Sequence, residues 1–154
     1  MHSRIFQVSM EPIDKNEYIT ESDYYDHWFT NSVANYVSDD CDAYDDVKWL
    51  QDCVKGITFG GDENGVYLII KDKEKYFEDA FRQFKATLDV LKGCTIQDFT
   101  KGILDMYGLK NAYEEKFGFY VETEDNGLIT MDNFIRIYPE NEKFYIGGTI
   151  NYHR

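Results

Sequence analysis

Three histidines are the first residues to consider for catalysis, and only His27 falls within a predicted element. His2 and His153 are the second residues from each end, whereas His27 follows Asp23 by one turn if residues 21–37 form a helix. A carboxylate at that spacing can orient an imidazole that acts as a general base. However, the sequence places no serine or cysteine as its nucleophile, and a surface ion pair explains the same spacing. The ion pair is the favoured interpretation, with His27 chemistry as the alternative.

Five aspartates crowd eight residues: Asp39, Asp40, Asp42, Asp45 and Asp46. Such carboxylates offer the hard oxygen ligands that Ca²⁺ and Mg²⁺ prefer. The segment nevertheless lacks the central glycine and the terminal glutamate of an EF-hand loop, and acids at a helix start are favoured by the helix dipole. We therefore predict that Asp45 and Asp46 cap a helix and that the protein uses no metal or other cofactor. A divalent metal at residues 39–46 is the alternative.

Cysteine chemistry and phosphate binding are both disfavoured. The cysteines are odd in number and have no close Cys or His partner, which argues against a disulfide framework and a zinc site; they are Cys41, Cys53 and Cys94. A phosphate-binding loop needs a lysine and a Ser or Thr after its glycines, whereas acids follow Gly60-Gly61. Gly147-Gly148 falls within a predicted strand, where glycine indicates a bulge or a close backbone approach.

Hydrophobic periodicity predicts the elements that would position these residues. Residues 5–10 alternate as a short strand. Thr20 with Asp23 three residues later is typical of a helix start, and the apolar spacing predicts one helix over residues 21–37. A second, amphipathic helix is predicted within residues 45–56.

The middle of the chain predicts a hairpin followed by helices. Asn64-Gly65 supplies the positive φ angles of a tight turn within residues 57–71. A continuous apolar stripe then predicts a helix over residues 77–93, which we expect to form the centre of the core. Another amphipathic helix is predicted over residues 96–108, with one or two further helical turns after it.

The last part of the chain changes to a period of two. Turn signals at residues 125–127 and 139–142 separate three β-rich runs, which predict a three-stranded antiparallel meander. The predicted class is α+β: an antiparallel sheet of the N-terminal strand, the hairpin and the C-terminal meander, packed against four to five helices. No repeat or linker is evident, so residues 1–154 are predicted to form a single domain.

Composition indicates a folded protein in the cytoplasm. A chain of 154 residues that is 43% hydrophobic and 17% aromatic can bury a core. No apolar run approaches the roughly 20 residues that span a bilayer, and the start, MHSRIFQVSM, does not resemble a secretory signal. We therefore predict a cytoplasmic protein.

The net charge of −13 is concentrated in the first third of the chain. Residues 1–54 contain 12 acids and 3 bases, a balance of −9, whereas residues 55–154 contain 17 acids and 13 bases, a balance of −4. Residues 16–47 hold nine carboxylates, seven aromatic residues and no lysine or arginine. Such a surface repels nucleic acid and anionic membrane, and it attracts basic surfaces.

In its charge pattern, the segment at residues 16–47 resembles small acidic inhibitors of nucleic-acid enzymes: antirestriction proteins, anti-CRISPR proteins, and immunity proteins for nuclease toxins. That resemblance implies a non-catalytic protein whose carboxylates lie where DNA phosphates would sit in the basic groove of a nuclease or other nucleic-acid-binding protein. The predicted contact residues are Glu21, Asp23, Asp26, Asp39, Asp40, Asp42, Asp45 and Asp46, with Trp28 and Tyr44 as aromatic anchors.

Three alternatives stay open. Acidity can serve solubility alone. An enzyme or a ligand-binding domain would place a pocket between helices and sheet, with His27 or a metal at the aspartates. A structural subunit would expose a large apolar patch or form a stable homo-oligomer.

Overall fold

The structure is a computed structural model that describes residues 2–154. These residues form seven strands: β1 (His2–Ser9), β2 (Tyr36–Ser38), β3 (Ile57–Asp62), β4 (Gly65–Ile70), β5 (Tyr120–Thr123), β6 (Gly127–Thr130) and β7 (Lys143–His153). The six α-helices are α1 (Trp28–Ser32), α2 (Ala43–Cys53), α3 (Lys73–Lys92), α4 (Ile96–Lys101), α5 (Met106–Tyr113) and α6 (Met131–Ile137). Two short 3₁₀ helices, Lys15–Glu17 and Glu21–Tyr24, precede α1.

The strands form one open, mostly antiparallel sheet in the order β3-β4-β7-β1-β5-β6. The long strand β7 is central, because one of its edges pairs with β1 and the other pairs first with β4 and then with β2. The exception to antiparallel pairing is β1 with β5, which run parallel with Ile5 opposite Tyr120. The predicted mixed class with an antiparallel sheet is therefore confirmed.

The two faces of the sheet are covered by different parts of the chain. Successive strand residues point to opposite faces, and Phe6 packs in a core with α2 and α6, whereas Ile5 packs in a second core with residues 24–37. One face is thus covered by regular helices and the other by the aromatic residues of the predicted acidic region.

The predicted hairpin is confirmed, with Ile57 opposite Ile70 and Asp62 opposite Gly65. The prediction that both turn residues have positive φ angles is not confirmed. Gly65 has a φ of 120°, but Asn64 is not among the residues with positive φ.

The predicted C-terminal meander is wrong in its middle run. Residues 131–137 form α6 rather than a strand, and β7 pairs with β1 and β4 instead of with β6. Thr130 Oγ1 accepts a hydrogen bond from the Asn133 backbone N–H at 3.2 Å and so caps the helix. Apolar residues at the helical spacing i, i+3, i+4 are then buried, a pattern that the period-two assignment overlooked.

The predicted helix over residues 21–37 is also wrong. The chain forms a 3₁₀ turn, the short helix α1 and strand β2 instead. Asp26 takes a positive φ of 60°, which interrupts a right-handed helix. Tyr36–Ser38 then pairs with the last residues of β7, an edge that β4 leaves open. Tertiary pairing has overridden local helical periodicity here.

The helix at residues 73–92 exists, but it is not the centre of the core. Within residues 73–113, all of which the structure describes, only Thr87 is buried. We call residues 73–113, comprising α3, α4 and α5, the helical arm; its main internal contact is between α3 and α5.

Contacts of Arg136 and Asp132 in α6 are among those that attach the base of the arm to the rest of the chain. The Arg136 guanidinium of α6 lies 4.6 Å from the Phe77 ring centre and 4.3 Å from that of Tyr113, so it links α3 and α5. The Tyr76 hydroxyl donates a hydrogen bond to Asp132 at 2.9 Å. Among the described residues, no helix is both long and apolar enough to cross a membrane.

Candidate functional site

We call residues 16–47 the acidic segment, and its start is fixed to the sheet by a bulge. Gln7 of β1 faces two residues of β7, Gly147 and Gly148, where the β1–β7 register shifts. The Gln7 side-chain oxygen accepts hydrogen bonds from the backbone N–H of Gly148 at 2.9 Å and of Ile19 at 3.1 Å. A Cβ added to Gly148 would lie 2.8 Å from the Ile19 carbonyl oxygen. The bulge and the close backbone approach predicted for these glycines are therefore both present.

Aromatic rings form the inner side of the acidic segment. The Phe29 side chain is fully buried, with its ring 4.8 Å from that of Tyr120 and 5.0 Å from that of Tyr152, both in edge-to-face geometry. Tyr24 is buried beside it. Such packing stabilises a segment that has little regular structure. These two buried rings therefore hold the segment on the sheet.

The two acidic stretches of the segment meet at one hydrogen bond. The backbone N–H of Glu21 donates to the Asp39 carboxylate at 3.2 Å, which links residues 21–26 to residues 39–45. The Tyr25 hydroxyl donates to the Glu21 carboxylate at 2.8 Å, and this hydrogen bond raises the pKa of Tyr25. Glu21 and Asp39, which are 18 residues apart in sequence, are therefore neighbours at the surface, where the two acidic stretches meet. We call the surface formed by the exposed acids of the segment the acidic face.

Most of the predicted contact residues are exposed. The exposed carboxylates are those of Asp23, Asp26, Asp39, Asp40, Asp42 and Asp45, and that of Glu21 is half-buried. The two predicted anchors are also accessible, Trp28 at 50% and Tyr44 at 71% exposure. Tyr25 and Tyr36 are about as exposed as these anchors, and the sequence reasoning did not assign them to the contact set.

Asp46 differs from its neighbours, because it is 5% exposed. Its carboxylate lies 2.5 Å from Arg4 Nε and accepts a hydrogen bond from the Thr149 hydroxyl at 2.8 Å. The Arg4 guanidinium also stacks 5.0 Å from the ring centre of Trp49. Asp46 therefore joins α2 to β1 and β7, and it is not available to contact a partner.

The residue that caps α2 is Asp42 rather than the predicted pair. Its carboxylate accepts hydrogen bonds from the backbone N–H groups of Tyr44 at 2.9 Å and Asp45 at 3.2 Å. The prediction of a cap at Asp45 and Asp46 is therefore wrong by one turn, and these two residues occupy the first turn of the helix.

The partners of the individual aspartates matter for the alternative of a divalent metal at residues 39–46. Asp39 bonds to Glu21, Asp42 caps α2 and Asp46 pairs with Arg4, so three of the five aspartates are directed to different partners. Among residues 2–154, no group of three or more His, Cys, Asp or Glu side chains has the geometry to hold a metal ion.

A polar cavity of about 450 Å³ lies beside the acidic face. The acids and the histidine that line it are Glu17, Asp23, His27 and Glu122, and the rest of the lining consists of Asn16, Tyr18, Ile19 and Tyr24. Burial raises the pKa of Glu122 and the nearby charge of Asp23 adds to this, whereas the Tyr24 hydroxyl, donating at 3.3 Å, opposes it. Glu122 adds a carboxylate from β5 that no local sequence pattern could assign to this face.

His27 and Asp23 share this cavity, but each has another partner. His27 Nδ1 accepts a hydrogen bond from the Phe29 backbone N–H at 3.3 Å and caps α1. The Asp23 carboxylate accepts one from the Thr20 backbone N–H at 2.7 Å, as part of a capping box. The helix that the expected surface ion pair required does not form over these described residues. Both side chains are instead used to begin short helices.

A second polar cavity, of about 390 Å³, lies between α3, α5 and α6, close to the end of α2. The Glu115 backbone N–H donates to one Asp132 oxygen at 2.7 Å, and Tyr76 donates to the other. Burial, with the Asp132 charge, raises the pKa of Glu115. This is one cavity where the alternative of a ligand site between helices and sheet could lie, but two of its carboxylates already have partners: Asp132 accepts from Tyr76 and Glu115, and Asp79 pairs with Lys55.

Comparisons with protein-family models, with curated proteins and with solved structures find no match to this chain. Function therefore has to be inferred from the geometry of the acidic face.

Proposed function

We propose that the protein is a non-catalytic binding protein whose acidic face occupies the basic groove of a nucleic-acid-acting enzyme, as an inhibitor of the antirestriction, anti-CRISPR or immunity type. The observation that carries the proposal is the contact between Glu21 and Asp39, which brings two exposed acidic stretches together. The chain places no lysine or arginine between residues 16 and 47 to neutralise that face.

The fixed position of the backbone that carries the carboxylates also supports this function. Duplex DNA presents closely and regularly spaced negative charges, and a protein that competes for a DNA-binding groove has to present carboxylates at fixed positions. Here the backbone that carries them is held by the buried rings of Tyr24 and Phe29 and by the side chain of Gln7. A preorganised surface loses less conformational entropy on binding than a flexible acidic tail does.

The exposed aromatic residues supply contacts that charge alone lacks. Interfaces derive much of their affinity from a few large side chains that become desolvated. Trp28 and Tyr44 lie in the same segment as the carboxylates and keep at least half of their surface exposed. We assign the acids to attraction and orientation and these two residues to anchoring.

The first test changes charge without changing structure. We suggest a quadruple variant in which Asp39, Asp40, Asp42 and Asp45 are each replaced by asparagine. Asparagine remains a good helix cap in place of Asp42, and in place of Asp39 it keeps an oxygen that accepts a hydrogen bond. Asp46 is left unchanged, since it is buried against Arg4. The matched control neutralises four exposed acids outside the segment: Glu63→Gln, Glu124→Gln, Asp125→Asn and Glu142→Gln.

The wild type, the quadruple variant and the control variant are each immobilised on a resin and incubated with nuclease-treated bacterial lysate. The proteins that each one captures are then quantified by mass spectrometry. We expect the wild type and the control variant to capture the same nucleic-acid-binding enzymes, and the quadruple variant to lose them by tenfold or more, as ~0.5 M salt does for the wild type. A captured enzyme should then lose its activity on DNA or RNA when purified wild-type protein is added. Equal capture by all three baits, or capture that salt does not weaken, would contradict the proposal.

A further inference from the structure

The distal end of the helical arm exposes large apolar side chains. They come from the last turns of α3, from α4 and from the start of α5, within residues 90–107, and each is between 57% and 75% exposed: Val90, Ile96, Phe99, Ile103, Met106 and Tyr107. Scattered single apolar residues are normal on a protein surface, but six within eighteen residues are typical of an interaction surface.

The same end of the arm is electrically balanced. Residues 90–107 contain two bases, Lys92 and Lys101, and two acids, Asp98 and Asp105, in a chain of net charge −13. Both acids serve helix starts, because Asp98 forms a capping box with Thr95 and Asp105 accepts from the Gly108 backbone N–H at 2.7 Å. A second copy can therefore approach this end of the arm without net charge repulsion between the two patches.

We infer that the distal end of the helical arm is the interface of a homodimer in which two copies pack arm against arm. A two-fold dimer uses the same patch on both copies, so the patch has to be compatible with itself in charge, as this one is. The acidic face, which would repel a second acidic face, then stays free on each copy.

The available area is sufficient for a weak to moderate dimer. Aromatic side chains bury roughly 150–250 Å² each when fully covered and aliphatic ones less, so six side chains that are 57–75% exposed offer on the order of 100 Å² each. Six of them from each copy supply about 1,200 Å² in total, which is the lower end of the range for specific interfaces. Obligate dimers bury larger areas, so we expect a reversible dimer, with a dissociation constant on the order of micromolar.

The first test measures mass in solution. Sedimentation equilibrium of the wild type at roughly 1–200 µM should show a monomer–dimer equilibrium that salt does not weaken, since the interface is apolar and balanced in charge. Ile96→Glu with Phe99→Glu places two charges in the patch and should weaken dimerisation on the order of 100-fold. Both side chains are exposed in the monomer, so circular dichroism should show an unchanged fold.

The matched control is Ile137→Glu, which changes a side chain of similar exposure on α6, outside the arm. It should leave the dimer unchanged. A wild type that is monomeric at the highest of these concentrations, or a double variant that dimerises as well as the wild type, would overturn the inference. A monomeric wild type is also the result expected if the patch instead serves a different protein.

A second measurement locates the interface. Cys94 is exposed within the patch and Cys53 is exposed elsewhere, so a short bismaleimide should link two copies through Cys94. We expect cross-linked dimer in a Cys53→Ser variant and none above background in a Cys94→Ser variant. Cross-linking through Cys53 alone would overturn the arm-to-arm arrangement. Neither experiment depends on the acidic face, so dimerisation and the proposed inhibition can fail separately.

Discussion

The acidic segment and the helical arm have the same number of aromatic residues but differ in charge and in burial. Each contains seven, yet the segment carries nine acids without a base and the arm has six acids and seven bases, a balance of +1. Eight residues of the segment are buried, whereas only Thr87 is buried within the arm, all of which lies in the described part of the chain. Two rings of the segment, Tyr24 and Phe29, are buried, whereas the arm buries none of its seven rings and exposes large apolar residues at its distal end.

This difference shows how one chain can build two kinds of surface from similar side chains. Dense charge is tolerated on the segment because the rings beneath it supply apolar burial, at roughly 25 cal/mol per Å². The arm has regular helices and so satisfies its backbone hydrogen bonds internally, without needing a core beneath it. Its apolar residues are therefore free to pack against another molecule.

The largest expected difference between the acidic segment and the helical arm is in the cost of removing one phenylalanine ring from each. Phe29→Ala removes a ring that is fully buried against Tyr120 and Tyr152, and we expect it to lower the free energy of unfolding by about 3–5 kcal/mol. Phe99→Ala, at 67% exposure on the arm, should change it by less than about 1 kcal/mol at a protein concentration where the chain is monomeric. Urea unfolding followed by circular dichroism measures both. Similar losses would mean that the arm is as well packed as the segment.

The second test compares neighbouring aspartates within the segment. Asp46→Ala leaves Arg4 Nε and the Thr149 hydroxyl without their partner, and we expect a loss of about 2–3 kcal/mol, since Arg4 keeps some exposure and other contacts. Asp45→Ala removes an exposed carboxylate and should cost less than about 0.5 kcal/mol. Equal costs in urea unfolding would contradict the division of the aspartates into one buried partner of Arg4 and several exposed contact residues.

The third test addresses how firmly the arm is attached. Arg136 stacks on Phe77 and Tyr113, so Arg136→Ala should weaken the base of the arm by about 1–2 kcal/mol. Native-state hydrogen exchange should then speed up about tenfold or more in α3 and α5, while β1 and β7 change little. The control is Arg82→Ala on the arm surface, which removes only an exposed pair with Asp79. Uniform acceleration across the sheet would instead place Arg136 in the common core.

The sequence was sufficient for the elements whose pattern is local. The hairpin at Asn64-Gly65 and the helix over residues 77–93 were predicted because a turn pair and a long apolar stripe specify them without distant contacts. The position of that helix was not predictable, because an apolar stripe has the same pattern whether it faces a core, another helix or a second molecule. The sequence predicts that the stripe lies in the core, whereas in the structure much of it faces α5 or solvent.

The candidate site was predictable only in outline. Clustering of acids could be read directly from residues 16–47, but Asp46 looks like its neighbours until Arg4, 42 residues away, is seen to pair with it. Glu122 joins the same face from β5 through a parallel pairing of strands far apart in sequence. Partners of this kind are set by sheet topology, which the pattern of single residues does not encode.

The smallest expected effect is a pH dependence inside the segment. Burial raises the pKa of Glu122, so the folded state holds its proton more tightly than the unfolded state does. Its favourable contribution is therefore fully present below the ordinary glutamate value of about 4.3 and is lost as pH rises through the raised value. Glutamine carries no charge at any pH, so Glu122→Gln should raise the free energy of unfolding at neutral pH by less than about 1 kcal/mol. The difference from the wild type should shrink toward about pH 3, where Glu122 is protonated in both states.

A second variant separates this effect from the general repulsion among the acids. The Tyr24 hydroxyl donates to Glu122 and favours its charged form, so Tyr24→Phe should raise the pKa of Glu122 further. Glu122→Gln should then stabilise the Tyr24→Phe background more than the wild type, as measured by urea unfolding between about pH 3 and 7 in a double-mutant cycle. If the gain is the same in both backgrounds, the repulsion belongs to the acidic face as a whole and the Tyr24–Glu122 contact does not tune it.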